Sequence, residues 1–291
     1  MTDILQKIRA LPLWNGPVEI TPLNGGRTNL NFIVQDATKT YVLRSGSDIL
    51  EHNLMRFGDL AASRAAHLAG LSPQVHYAKD GMTVIDFIQS KTLAEADTRQ
   101  PEMLARIIPL MQRCHRDVPR YFRGPALIFW VFHAIRNYIE NLTERGSGYA
   151  EYFPSYHEIN RVLEKASGPF EIAFCHNDWM ADNILDDGKR LWLIDWDYGG
   201  FNTPLFDLGG LASNNSFSQS DELSMLEQYF DAPVNDDLMH RYHAMKTASM
   251  LREVLWSMLS EITSPLDFDY AAYTVEQLAR FNRAYEIFKQ S

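Results

Sequence analysis

The segment FCHNDWMADNIL, residues 174–185, places two Asp, two Asn and one His between two apolar runs. Asp178 precedes Asn183 by five residues, and a further apolar run leads to Asp195. Phosphoryl transfer needs a metal ion that neutralises phosphate charge and a carboxylate that orients the attacking hydroxyl and accepts its proton. Asp178, Asn183 and Asp195 have the residue types and the order suited to that chemistry.

A hairpin about Gly188 is predicted to bring two of these residues together. An Asp-Gly dipeptide between two apolar runs is a strong signal for a tight turn. Folding the chain there sets Asn183 opposite 193–195, next to Asp195. An amide oxygen beside a carboxylate, without thiol or imidazole, suits Mg²⁺. The sequence therefore predicts a magnesium site at Asn183 and Asp195, with Asp178 on the loop that leads into it.

Other polar residues near these motifs are given structural roles. His176 is predicted to brace the loop. The His-Arg-Asp triplet at 115–117 is predicted to be a helix end, because Pro119 breaks the segment and Phe122 stands where a metal-binding Asn would be needed. The remaining loop acids and amides are predicted to be turn and cap residues, a common use of these types: Asn177, Asp182, Asp186 and Asp187.

Two features of the N-terminal third could bind a nucleotide. The segment LNGGRTNLNF, residues 23–32, is a glycine-containing turn that includes Asn29, and backbone N–H groups in such turns can approach phosphates. Arg44 is the one cation in the strand-like run TYVLRS, and a phosphate together with a helix carboxylate would compensate its charge. Asp59 is preferred over Glu51 as that carboxylate.

The elements that position these groups divide into two sets. The first 88 residues are predicted to form an antiparallel β lobe with one main helix, from about Glu51 to Ala69. Its last strand could hydrogen-bond adenine through the backbone between Asp86 and Ile88. The predicted strands are 18–23, 30–35, 40–45, 74–78 and 83–88.

Residues 89–291 are predicted to form a larger, mostly helical lobe. Apolar residues recur there at three- and four-residue spacing, except for short strands within 171–198. The predicted fold is therefore α+β and two-lobed, with a cleft between the lobes that suits a ligand. The predicted helices lie near 101–117, 129–144, 156–167, 220–230 and 236–264.

Composition limits the function classes. The 291 residues are 46 % hydrophobic and carry a net charge of −10, which argues against a nucleic-acid binder. The two cysteines lack metal-ligand spacing and are compatible with a reducing compartment. The N-terminus resembles an amphipathic helix rather than a signal peptide, and no run is long enough to span a membrane. A cytoplasmic monomer or homodimer is expected.

Three motifs resemble the choline/ethanolamine kinase family, within the wider aminoglycoside phosphotransferase and protein-kinase-like group. They are FCHNDWMADNIL, LWLIDWDYGGFNTPLFDLG and PLNGGRTNLNFIV with YVLR, and the resemblance runs from about residue 18 to 285. It implies a two-lobed kinase-like fold and transfer of a phosphoryl group from ATP, with Mg²⁺, to a small-molecule hydroxyl.

The resemblance also implies a role for each motif residue. Asp178 would be the catalytic base, and Asn183 and Asp195 would hold magnesium. Arg44 takes the place of the usual strand lysine, as it does in choline kinases. Asp59 stands where the family usually has Glu.

The acceptor is less well defined by the resemblance. Family members commonly carry Trp-x-x-Trp on a C-terminal helix, which here reads SMLREVLWSMLSEI, residues 249–262. An alignment on 242–245 replaces both tryptophans by Met250 and Glu253, whereas an alignment on Trp256 keeps one and puts Glu253 at the other. Trp256 could equally be a core residue. The expected substrate contacts are Asp197, Tyr198, Glu253 and Trp256.

The leading hypothesis is a kinase that phosphorylates a small cationic amino alcohol, choline or ethanolamine first. A second hypothesis keeps the chemistry and changes the acceptor to thiamine, homoserine, a sugar or an aminoglycoside. A third is a kinase-like sensor that binds a nucleotide or metabolite without catalysis.

Overall fold

The computed structural model describes residues 2–23, 29–264, 266 and 268–291. Its strands are β1 (Glu19–Leu23), β2 (Leu30–Gln35), β3 (Thr40–Ser45), β4 (Val75–Lys79), β5 (Met82–Asp86), β6 (Lys91–Thr92), β7 (Ala173–Cys175), β8 (Ile184–Asp186), β9 (Leu191–Leu193) and β10 (Gly200–Asn202). Its helices are α1 (Thr2–Arg9), α2 (Arg56–Leu68), α3 (Glu95–Thr98), α4 (Pro101–Tyr121), α5 (Val131–Glu144), α6 (Phe153–Ala166), α7 (Pro204–Asn214), α8 (Gln219–Phe230), α9 (Asp236–Thr263) and α10 (Tyr270–Gln290).

The N-terminal strands form one antiparallel sheet in the order β1-β2-β3-β5-β4. Side chains alternate between its faces, as a pleated strand requires. Tyr41 and Leu43 of β3 are buried against α1, in a core that also contains Phe32. Val42 and Arg44 therefore face the opposite side, where a cavity described below lies.

The helix predicted between β3 and β4 begins later than expected. A 3₁₀ turn at Leu50–His52 ends at Asn53, which adopts the left-handed conformation with φ 57°, and α2 starts only at Arg56. The predicted start at Glu51 is therefore wrong, because a left-handed residue cannot continue an α-helix. Glu51 lies outside α2 and pairs with Arg145 at 3.2 Å.

The second half of the chain packs around α9. This helix is buried along most of its length and contacts α5, α6, α7 and α10. α7 approaches it closely, since a Cβ at Gly209 would lie 2.9 Å from the Cα atom of Lys246. In the described part of the chain, no helix combines the length and apolar character needed to cross a membrane.

The predicted helices of this half are confirmed, and the structure contains further helices. α7, α10 and the short α3 were not predicted. The triplet at 115–117 lies within the last turns of α4, which continues through Pro119 to Tyr121. The α+β fold class, with an antiparallel N-terminal sheet and a mostly helical remainder, is as predicted.

Candidate active site

The predicted hairpin forms from β8 and β9. Ile184 pairs with Leu193, and Gly188 in the turn has φ +83°. The next N–H, that of Ile194, donates to the carbonyl of Asn183 at 3.0 Å. Asn183 therefore lies opposite Ile194, directly before Asp195, within the predicted register.

Asn183 also holds the loop that carries Asp178. Its Nδ2 atom donates to the backbone carbonyl of Asp178 at 3.0 Å and lies 3.4 Å from the Oδ2 atom of the same residue. The amide nitrogen is therefore engaged with Asp178, whereas no hydrogen bond among the described residues uses the amide oxygen, which could bind another ligand. The Asp178 side chain is partly exposed, as a group that meets a substrate must be.

Arg44 lies among three carboxylates, two of which come from the segment just beyond β9. Its Nη2 atom is 2.8 Å from Oδ1 of both Asp195 and Asp197, and its Nη1 atom is 3.6 Å from Asp59. Asp59, preferred from the sequence over Glu51, is thus the helix acid near Arg44. The two closer partners were not predicted.

A second arginine, Arg56, completes this cluster. Its Nη1 atom is 2.8 Å from Asp197 and 3.6 Å from Asp59. Burial, helped by the charge of Asp197, raises the pKa of Asp59 against the opposing effect of the two guanidinium groups. Arg56 was missed because its partner Asp197 lies 141 residues away in sequence.

The carboxylates at this centre outnumber the guanidinium groups, so the centre favours a bound proton or a further cation. Desolvation and the neighbouring carboxylates raise the pKa of Asp195 to about 8, although Arg44 opposes the shift. If all four carboxylates were ionised (Asp59, Asp178, Asp195 and Asp197), they and the two guanidinium groups would carry a local net charge of −2. An excess of two negative charges among oxygen ligands fits a divalent hard cation such as Mg²⁺. Asn183 and Asp195 are the residues that could hold it.

A buried acid on α7 anchors the start of the loop that carries Asp178. Asp207 accepts the backbone N–H groups of His176 at 2.9 Å and Asn177 at 2.8 Å. His115 lies 2.9 Å from the same carboxylate. Although burial opposes ionisation, the hydrogen bond from His115 holds the pKa of Asp207 below its usual value. His115 is thus a buried support of the loop rather than a simple helix end.

Two further loop residues act as internal braces. The Nε2 atom of His176 lies 2.9 Å from the carbonyl of Ile194, which agrees with its predicted bracing role. Asn177 is buried and donates to the carbonyl of Tyr198 at 2.8 Å, while Asn202 donates to its side-chain oxygen at 2.8 Å. Asn177 is a turn residue as predicted, with φ 66°, and its amide also links the loop to β10.

Replacing Asp207 by Asn is expected to lower the free energy of unfolding by about 1–3 kcal/mol, since an amide cannot accept all three of these hydrogen bonds. The difference from wild type should shrink as pH falls from about 4, because a carboxylate with a lowered folded-state pKa loses its stabilising effect there. Urea unfolding at several pH values measures both effects. Asp80→Asn, at an exposed turn, is the control. A loss for Asp207→Asn no greater than the control's would contradict the bracing role.

A cavity of about 230 Å³ lies between the N-terminal sheet and the hairpin. It extends from the segment at 85–88 to Arg44 and Asp195, and Val42 and Leu185 line its sides. Its largely apolar walls, with charged groups at one end, suit a nucleotide whose base lies far from its phosphates.

Residues 86–88 lie at the outer end of this cavity, and one of their backbone N–H groups donates no hydrogen bond within the described residues. The Asp86 side chain faces elsewhere, since His76 lies 2.7 Å from it and Lys39 pairs with it. The N–H of Asp86 donates to the carbonyl of Gln74. Among the hydrogen bonds of the described residues, none uses the N–H of Ile88. The backbone of 86–88, rather than the Asp86 side chain, is thus the part of this segment that could bond a ligand in the cavity.

Asn29 does not line the 230 Å³ cavity, and its contact with a nucleotide stays a prediction. Its Nδ2 atom is 3.3 Å from Oδ2 of Asp197, and it lines a second cavity of about 400 Å³ together with His52, Trp256 and Tyr270. The rest of the predicted glycine-containing turn, residues 24–28, lies outside the described residues.

The four predicted substrate contacts divide into separate groups. Asp197 is buried in the arginine cluster, and Tyr198 follows it with its ring beneath a guanidinium group described below. Trp256 is nearly buried but lines the 400 Å³ cavity, where its ring lies 5.5 Å from that of His52. Glu253 accepts a hydrogen bond from Tyr273 at 2.8 Å. Tyr273 belongs to the neighbouring helix α10, so Glu253 is engaged between two helices rather than facing an open charge site.

Comparison with known proteins identifies the family. Residues 20–223 of the 291 match the family model described as choline/ethanolamine kinase. The chain belongs to the choline/ethanolamine kinase family. This membership makes it a small-molecule kinase, as the sequence motifs predicted.

Relatives and solved structures match this chain over most of its length. Protein LicA of Haemophilus influenzae (strain ATCC 51907 / DSM 11121 / KW20 / Rd) is 24% identical over 272 residues, which are 86% of this chain and 96% of LicA. A choline/ethanolamine kinase family protein from Mesorhizobium loti has a TM-score of 0.77 and 26% identity, covering 98% of this chain and 94% of that one. Choline kinase LicA from Streptococcus pneumoniae has a TM-score of 0.79 and 24% identity, covering 100% and 99%. The two-lobed kinase-like fold is thereby confirmed.

Proposed function

We propose that this kinase transfers the γ-phosphoryl group of ATP, with Mg²⁺, to the hydroxyl of a small cationic amino alcohol, choline or ethanolamine. The observation that carries the proposal is the convergence of Asp178, Asn183 and Asp195 at one centre. These groups come from a braced loop and a hairpin, and their position beside Arg44 supports a kinase centre over a surface cluster of acids.

Each group at the centre has a chemical role in this proposal. The Asp178 carboxylate orients the acceptor hydroxyl and accepts its proton, while the Asn183 amide holds the backbone of Asp178 in place. Asn183 and Asp195 hold Mg²⁺, which when bound neutralises phosphate charge. Arg44 supplies a fixed guanidinium beside the nucleotide cavity, where it can contact a phosphate oxygen.

The nucleotide occupies the 230 Å³ cavity in this proposal, with its adenine against the backbone of 86–88. The N–H of Ile88 is the donor for the base. Asp59 supports Arg44 from α2. A structure of LicA solved in complex with AMP, 24% identical to this chain, supports the assignment of a nucleotide.

The acceptor is proposed to lie on the side of Asp197, Tyr198 and Trp256. Aromatic rings and acids are the groups that recognise an ammonium ion. Similar proteins named as choline kinase and as probable ethanolamine kinase support this class of acceptor. The division into lobes at about residue 88 and a cytoplasmic location belong to the same proposal, and both cysteines are free and buried.

A magnesium-dependent ATP-consumption assay across a panel of acceptors tests this function. The panel contains choline, ethanolamine, thiamine, homoserine, a sugar and an aminoglycoside, each with and without excess EDTA. We expect choline or ethanolamine to give the highest kcat/KM, and EDTA to abolish turnover. Preference for another acceptor would keep the chemistry and overturn the substrate class. ATP binding without turnover of any acceptor would favour a sensor.

A further inference from the structure

A buried arginine lies in the region where the acceptor is proposed to bind. Arg252, on α9 one turn before Trp256, is only 6% exposed. Its guanidinium carbon lies 4.6 Å from the centroid of the Tyr198 ring and 5.7 Å from that of Phe129. Both distances are within the range of a cation–π interaction. The face of Tyr198 is thus covered by a cation that belongs to the protein.

The same arginine neutralises the acid expected to meet the acceptor. Its Nη1 atom donates to Oε2 of Glu253 at 2.8 Å, and Tyr273 donates to Oε1 at 2.8 Å. Burial alone would favour loss of the proton, but Tyr198, Tyr138 and Glu253 nearby raise the pKa of Arg252 well above its usual value. The guanidinium therefore stays charged and competes with any external cation for Tyr198 and Glu253.

This competition affects the possible ammonium groups unequally. A quaternary ammonium has no N–H and depends on aromatic faces and an uncompensated acid. A primary ammonium has three N–H donors, and a carboxylate has about four acceptor positions, of which two on Glu253 are used. A primary amine can therefore share Glu253 with Arg252, whereas a trimethylammonium group loses both of its means of recognition.

We propose that Arg252 is a specificity-determining residue, which occupies the cation position at Tyr198 and Glu253 and makes this kinase prefer a primary amino alcohol to a quaternary one. The inference rests on the proposed function and narrows its acceptor from choline or ethanolamine to the ethanolamine type.

The test compares kcat/KM for ethanolamine, N-methylethanolamine, N,N-dimethylethanolamine and choline in wild type and Arg252→Met. In wild type we expect kcat/KM to fall with each added methyl group. Arg252→Met opens the Tyr198 face and frees the charge of Glu253, so the ratio of choline to ethanolamine should rise about tenfold or more, equivalent to a cation–π gain of about 1.4 kcal/mol. Arg283→Met, at an exposed position of α10, is the control and should keep the wild-type ratio.

Two further variants keep the test decisive. Arg252→Lys retains a positive charge but lacks the planar guanidinium group. It should shift the choline-to-ethanolamine ratio of kcat/KM less than Arg252→Met does. If Arg252→Met does not fold, the double variant Arg252→Leu with Glu253→Gln removes both buried charges together, which folded proteins tolerate better than the loss of one. It too should raise the choline-to-ethanolamine ratio, and thermal unfolding and ADP binding verify the fold of each variant.

An unchanged ratio in a folded Arg252→Met protein would overturn the inference. A wild-type preference for a hydroxy acid such as homoserine, lost in Arg252→Met, would also overturn it, because Arg252 would then bind a substrate carboxylate. If neither wild type nor variant phosphorylates any amino alcohol, the proposed function itself fails, and the two failures are thereby distinguished.

Discussion

Asp178→Asn is expected to lower kcat by about 10²–10⁴-fold, the usual contribution of a general base. Asn has the same shape as Asp but cannot accept the proton of the attacking hydroxyl. The loop should keep its position, because Asn183 bonds the backbone carbonyl of residue 178 and Asp207 bonds the N–H groups before it. Nucleotide affinity should therefore change little. Initial rates with saturating ATP and the preferred acceptor measure the first effect, and calorimetric titration with ADP measures the second.

Asp182→Asn is the matched control for this variant. Asp182 lies on the same loop, four residues after Asp178, but its side chain is exposed. We expect wild-type turnover from it, since it loses one surface charge and no substrate contact. Turnover within tenfold of wild type in Asp178→Asn would show that another group accepts the proton.

The local parts of the fold were readable from the sequence, and the exceptions have physical causes. β2 and β3 have the predicted bounds because alternating apolar residues and polar turns mark both ends. α7 was missed because nearly all of its residues are buried, so it has no polar face and no periodic signal. α10 carries buried residues at helical spacing, such as Phe281, Ala284 and Phe288, so its helical pattern is visible in the sequence.

The candidate site was predictable only where its residues lie close in sequence. Asp178, Asn183 and Asp195 fall within one loop and one hairpin, so turn chemistry brings them together. Arg56 and Asp207 support the same centre from other elements, 141 and 31 residues from the groups that they bond. An acid within the apolar run PLFDLG was a usable signal for Asp207, because a buried carboxylate needs partners.

The acceptor side was the least predictable part because it depends on which groups already satisfy one another. Glu253 and Tyr198 have side chains of the types that recognise cations, and their contact with a substrate stays a prediction. Their partner Arg252 is adjacent to Glu253 in sequence, yet only the folded chain sets its guanidinium over Tyr198. A residue's type therefore indicates what it could bind, whereas its neighbours in the folded chain determine whether its charge and hydrogen-bonding groups are still available to a ligand.

Asp195→Asn is expected to reduce kcat/KM by at least about 10³-fold and to raise the Mg²⁺ concentration needed for half-maximal activity. Neutralising phosphate charge is worth several kcal/mol, and each 1.4 kcal/mol is a factor of ten. The variant removes the negative charge that Asp195 carries when it is ionised beside a cation, which weakens attraction for a divalent cation. The fold should survive, because Arg44 keeps Asp197 at 2.8 Å and Asp59 at 3.6 Å.

A reciprocal exchange separates metal binding from a loss of Arg44 pairing. The double variant Asn183→Asp with Asp195→Asn restores one carboxylate and one amide across the hairpin, but not the carboxylate that Arg44 contacts. If both residues hold Mg²⁺, the exchange should recover part of the Mg²⁺ affinity lost in Asp195→Asn. Magnesium titrations of ADP binding in the three proteins test this; turnover is not used, because Asn183→Asp also removes the amide that holds the carbonyl of Asp178. An unchanged Mg²⁺ requirement in Asp195→Asn would contradict the assignment, because a removed ligand charge must alter the affinity for the cation that it holds.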